Sequence, residues 1–126
     1  MIITVVPDPE TQPGWEAIKV LLKPAADRGD VLVLEPHELV WAVCDDDGVL
    51  GAATTRLVAD CAEVVLVGGK DHRRWIAALD EKIGRWARME GKNRLRAYGR
   101  KGWMRALKNW TVMGENNGMI GYERAL

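Results

Sequence analysis

Between Leu39 and Val67 the chain strings short β-rich runs together through turns, and from Asp71 onward its apolar residues change to helical spacing. This change of period, from two residues to about 3.6, is what most narrows the folds open to it. Leu39 to Cys44 reads as one strand and Val49 to Val58 as a second, joined at Asp45-Asp46-Asp47-Gly48. An Asp-Gly turn between two apolar runs is a strong hairpin signature. After a break at Asp60, Ala62 to Val67 forms a third strand, closed by Gly68-Gly69. The middle of the protein is therefore expected to be an antiparallel meander.

From Asp71 to Glu90, Trp75, Ile76, Leu79, Ile83, Trp86 and Ala87 share one face of a helix, while most of the charged residues take the other. Asp71 is the expected N-cap and Gly91 the C-terminal stop. Ahead of the meander, Ile2 to Val6 reads as a strand ended by Pro7 and Pro9, and Gly14 to Leu22 as a short amphipathic helix broken at Pro24. Val31 to Leu34 is a brief apolar run. Beyond the long helix, Arg94 to Tyr98 is a strand, Trp103, Met104 and Leu107 fall on a short helix, and Trp110 to Met113 and Met119 to Leu126 are strands about a turn at Glu115 to Gly118. No repeat or linker interrupts residues 1–126, so one domain is expected.

A composition of 48% hydrophobic and 29% charged residues is that of a globular chain with a real core. Lys plus Arg equals Asp plus Glu at 18 each, so no net field draws the molecule to nucleic acid or to an anionic membrane. The N-terminal MIITVVPDPE lacks the basic and apolar regions of a secretory leader, and no apolar stretch is long enough to span a bilayer. The expectation is a cytoplasmic protein. Cys44 and Cys61, with only His37 and His72 as further soft ligands, do not make a zinc pattern and read as ordinary buried thiols.

The order of elements from Leu39 to the C-terminus resembles that of the GNAT acyl-CoA N-acyltransferases. The turn followed by Val49-Leu50-Gly51-Ala52-Ala53 is similar to that family's hairpin, and Trp86-Ala87-Arg88-Met89-Glu90-Gly91 is similar to the end of its central helix. The resemblance implies a single-domain α+β fold with a mostly antiparallel mixed sheet flanked by helices. It further implies transfer of an acyl group, such as acetyl from acetyl-CoA, to a small amine or a protein. With Ala87 and Gly91 in register, Asp71, Arg74 and Ile76 stand where the family carries the Gln or Arg, the Gly and the Gly or Ala of its pyrophosphate loop. In place of that motif the chain offers Gly68-Gly69-Lys70-Asp71-His72-Arg73-Arg74.

Carried onto these positions, the resemblance has Gly68, Gly69, His72, Arg73 and Arg74 surround the cofactor phosphates, Val65 and Val67 meet the pantetheine arm through their backbone, and Glu63 orient a water as general base. Cations in the first turn of a helix oppose its dipole and call for an anion there or for nearby acidic partners such as Asp71 or Glu63. The family's tyrosine acid falls near Ala106, while Tyr98 and Tyr122 lie on strands. The segment Gly99-Arg100-Lys101-Gly102-Trp103 is similar to one found in degenerate GNAT-like proteins of tailed phages and prophages. That likeness implies a non-catalytic scaffold whose tryptophans form an oligomer or partner interface. A third reading takes Arg94, Arg96, Arg100, Lys101, Arg105 and Lys108, interleaved with Tyr98, Trp103 and Trp110, as a single-stranded nucleic-acid surface.

Overall fold

A computed structural model describes residues 1–26, 34–100, 103, 106–116 and 118–126. It contains a seven-stranded mixed sheet of order β1-β2-β3-β4-β5-β7-β6. The strands are β1 (Ile2–Val5), β2 (Leu39–Asp45), β3 (Gly48–Leu57), β4 (Ala62–Gly69), β5 (Arg94–Gly99), β6 (Thr111–Asn116) and β7 (Met119–Ala125). Strands β2 to β4 form the antiparallel meander that the turns predict, β1 adds to its β2 edge, and of the strand pairs only β4 with β5 is parallel. The long α2 (Ile76–Met89) makes the crossover between them, as a parallel pair requires. Helix α1 (Trp15–Ala26) covers the opposite face.

Because a helix lies on each face, the central strands bury both sets of alternating side chains. Val40 and Ala42 pack under α1 with Trp15, Ile18 and Leu22. Trp41 and Val43, one residue out of phase, pack under α2 with Leu79, Ile83 and Ala87. That is why β2 reads as an unbroken apolar run rather than an alternating one. Trp41 meets Trp86 edge to face at 5.9 Å and donates its indole N–H to Thr55 Oγ1 at 2.9 Å, so neither polar atom of this buried hydrogen bond is left unsatisfied.

Three expectations need correction. Pro24 does not break α1, which runs on to Ala26 with the proline in its last turn. Asp71 does not cap the long helix: it lies at φ +51° ahead of a 3₁₀ turn, His72–Arg74, makes no side-chain capping bond, and α2 begins only at Ile76. The cations therefore stand before the helix rather than in its first turn. Trp110 precedes β6 rather than opening it. Val31, Leu32 and Val33 of the early apolar run, Met104 of the short helix, and Lys101 and Arg105 of the basic cluster lie outside the described residues.

Glycines fix how closely the layers approach. A Cβ on Gly68 would collide with the carbonyl oxygen of Leu21, and one on Gly51 would stand 2.5 Å from the Trp75 ring. Gly68→Ala is therefore expected to force α1 off the sheet at a cost of about 1–3 kcal/mol. Gly14→Ala, with nothing within 4 Å of the new methyl, serves as the near-neutral control; thermal unfolding of both variants checks this.

Candidate active site

Strand β4 carries one residue too many. Thr54 of β3 lies opposite Leu66, while its neighbour Thr55 lies opposite Val64, which leaves Val65 as an unpaired bulge. Pairing of β4 with β5 runs from Ala62↔Leu95 to Val64↔Ala97 and stops at the bulge. Beyond it the two strands part, although each continues, β4 to Gly69 and β5 to Gly99. The amide of Leu66 donates to Thr54 Oγ1 and that of Lys70 to Leu50 O, both toward β3. By alternation the backbone groups of Val67 and Gly69 turn the other way, into the gap, where the ladder offers them no partner.

The gap opens a cleft of about 380 Å³ that passes through the sheet. Ile76, Leu79, Asp80 and Ile83 of α2 line it on one face, and Val20, Leu21, Pro24 and Ala25 of α1 on the other. Ala97, Gly99 and Tyr122 form the β5–β7 wall. Tyr122 is almost fully buried and donates its hydroxyl to the carbonyl of Arg100 at 2.7 Å. Lys70 and His72 stand at the rim, where the His72 ring meets Trp103 at 5.6 Å from the facing wall.

The cleft also holds a carboxylate. Asp80 Oδ1 accepts from Arg124 Nη1 at 3.0 Å and from Trp110 Nε1 at 3.2 Å, and Arg124 also reaches the Asp80 backbone carbonyl. With side chains 18% and 14% exposed, Asp80 and Arg124 form a mostly desolvated pair joining α2, β7 and the segment before β6.

Val65, Val67, Gly68, Gly69 and His72, expected from the sequence as cofactor residues, all line the cleft. Arg73 and Arg74 lie beside it on the 3₁₀ turn and are not part of its wall. Arg74 approaches Asp45 at 3.8 Å rather than Asp71 or Glu63. The glycine pair also has a packing duty: Gly68 lets the α1 backbone close onto β4, and Gly69, at φ +152°, lets β3 and Trp75 do so from the other side.

Glu63 lies outside the cleft wall and is not the exposed strand-end residue it resembles in sequence. Its carboxylate accepts from Arg56 Nη2 at 2.9 Å and is only 15% exposed. Strand register sets Arg56, Glu63, Arg96 and Glu123 side by side across β3, β4, β5 and β7, an alternating row of charge on the α1 face of the sheet. Arg94 and Arg96 of the basic cluster are thus engaged by Asp60 and Glu123. Cys44 and Cys61 are free thiols; burial pushes the Cys61 thiol up from its ordinary value.

Sequence reasoning did not single out Asp80, Arg124 or the α1 residues of the cleft. Asp80 fell among the charged residues of the amphipathic pattern, and nothing local marks it as facing Arg124, which lies 44 positions away.

No family model matches the sequence, and no curated protein matches it by sequence. Solved structures do match the fold. The IAA acetyltransferase from Bacillus cereus superposes at a TM-score of 0.74 and 15% identity over 99% of both chains. The PaiA N-acetyltransferase from Thermoplasma acidophilum, solved in complex with coenzyme A, matches at 0.75 and 13% identity over 100% of both chains. A GNAT family acetyltransferase from Elizabethkingia anophelis, solved with acetyl-CoA bound, matches at 0.68 and 9% identity over 99% of this chain and 97% of its own. The chain has the GNAT fold.

Asp80→Ala is expected to destabilise the protein by about 1–3 kcal/mol, because it strands the Arg124 guanidinium and the Trp110 N–H in a mostly dry site. Asp80→Asn, which keeps an acceptor oxygen, should cost less, and denaturant unfolding of the two variants measures the difference.

Proposed function

We propose that this protein is an acyl-CoA-dependent N-acyltransferase that moves an acetyl group from acetyl-CoA to an amine. The observation that carries the reading is the unpaired backbone edge at Val67 and Gly69, exposed in the cleft that the Val65 bulge opens. A pantetheine arm carries amide donors and acceptors along an extended chain, so it fits that edge as an added strand would. The GNAT fold found among acetyltransferases supports the same reading. A cytoplasmic site of action follows from the donor.

The phosphates would lie at the other end of the edge. Helix α2 has no side-chain cap, which leaves its leading amides, from Ile76 on, available to an anion. His72, Arg73 and Arg74 precede it, and Gly68 and Gly69 allow the backbone close approach. This arrangement replaces the family's loop motif with side-chain cations. Glu63, whose Oε1 is taken by Arg56, would use Oε2 to orient a water that removes the proton from the acceptor amine.

Calorimetric titration with acetyl-CoA and with CoA tests the reading. Micromolar binding is expected, weakened about tenfold in an Arg73→Ala, Arg74→Ala double variant, which corresponds to about 1.4 kcal/mol. No binding at millimolar ligand would sink the enzyme and leave a GNAT scaffold used for protein contact or assembly.

A further inference from the structure

The cleft has a second mouth, on the α1 face, and its chemistry differs from that of the rim at Lys70 and His72. Val20 is 69% exposed and Tyr98 54% exposed, although both line the cleft. Pro24 and Ala25 continue the same apolar surface from α1, and Met119 continues it from β7. Tyr98 follows Arg96 by two residues on β5, so its ring lies on the α1 face just past the charged row, against Gly121 and near Met113.

One cation stands in this apolar mouth. Arg100, at the end of β5, reaches across to α1 and donates from Nη2 to Pro24 O at 3.3 Å. Its side chain is therefore held on the α1 side while the rest of its guanidinium edge stays open to a ligand. Among the described residues lining the cleft, Asp80 is the sole carboxylate, and it is committed to Arg124 and Trp110 on the α2 side. A polycationic acceptor would find apolar surface and a like charge at this mouth, while the carboxylates of the adjoining charged row, Glu63 and Glu123, are already paired with Arg56, Arg94 and Arg96.

We infer that the acceptor is an amino acid with an apolar or aromatic side chain, its carboxylate held by Arg100 and its side chain laid on Val20, Pro24 and Tyr98. This rests on the acyl-CoA reading of the same cleft. A guanidinium takes a carboxylate in a planar, two-bond geometry that fixes the α-carbon, and so directs the amine inward toward the thioester. The ammonium first releases one proton to water. Its nitrogen then bonds to the thioester carbonyl carbon, the C–S bond breaks, and a second N–H proton ends on the departing CoA sulfur. The products are an N-acyl amino acid and free CoA.

The test compares turnover, read as free thiol released from acetyl-CoA, with L-leucine, L-phenylalanine, their decarboxylated counterparts 3-methylbutylamine and 2-phenylethylamine, and spermidine. The amino acids should exceed the matching amines at least about tenfold in kcat/KM, since a site built to pair a carboxylate discriminates against its loss. Arg100→Gln should raise KM for the amino acids about tenfold, leave the two amines unchanged, and leave the CoA titration as in the parent protein. The Tyr122 hydrogen bond goes to the Arg100 backbone, so this substitution spares it. Preference for spermidine or for the decarboxylated amines, or a discrimination that survives Arg100→Gln, would overturn the inference. Intact CoA binding with no turnover of any amino acid would overturn it alone, whereas absence of CoA binding overturns the acyl-CoA reading as well.

Discussion

The single extra residue at Val65 is the constraint on which the site depends. A strand that stayed in register with β3 and β5 would satisfy its backbone on both sides and leave no gap. The bulge ends the β4–β5 ladder at Val64↔Ala97 and bends β4 away while it is still held to β3 by Leu66 and Lys70. What results is a strand with one edge paired and one edge unpaired inside the protein. Unpaired backbone groups in a protein interior are costly, so such an edge is held open only where the surrounding packing enforces it.

That packing is supplied from both faces. On one side the α1 backbone presses onto Gly68 through Leu21, and on the other Trp75 fills the space above Gly51 and Gly69. Trp75 is 1% exposed and donates its N–H to the carbonyl of Lys70, so it also sets the path of the chain from β4 into the 3₁₀ turn. The far wall is anchored separately. Asp80 ties α2 to β7 through Arg124 and to the segment before β6 through Trp110, while Tyr122 pins the end of β5 at Arg100. The two walls share no ladder beyond the bulge, so their separation is set by these anchors rather than by strand pairing.

Charge is distributed with the same division. The row Arg56, Glu63, Arg96, Glu123 alternates in sign across four strands, so each charge has opposite neighbours and the α1 face beyond the helix needs no cover. The cations of the 3₁₀ turn lie at the opposite mouth, where Arg74 has a distant carboxylate at 3.8 Å and Arg73 has no ion-pair partner among the described residues. On the proposed function, an anionic donor and an amino-acid acceptor would enter by different mouths, each meeting a cation.

The meander, the long helix and its end at Gly91 were legible in the residues alone, because hairpin turns and helical periodicity are local properties read within a few positions. Of the residues that the family resemblance assigns to a cofactor, Val65, Val67, Gly68, Gly69 and His72 line the cleft, whereas Arg73 and Arg74 stand beside it. The start of α2 was misread: Asp71 is a good N-cap by type, but it takes a left-handed φ ahead of a 3₁₀ turn, and the Trp75 indole is tied back to the Lys70 carbonyl before α2 begins. Pro24 was misread as a helix breaker: it gives up its own N–H bond, but α1 runs past it by only two residues, to Ala26. The bulge, the pairing of Asp80 with Arg124, the charged row and the reach of Arg100 to Pro24 have no local signature and arise in the assembled fold. Each depends on which residues of distant strands and helices come into register, and that is set by how two apolar layers close on one sheet rather than by any local preference.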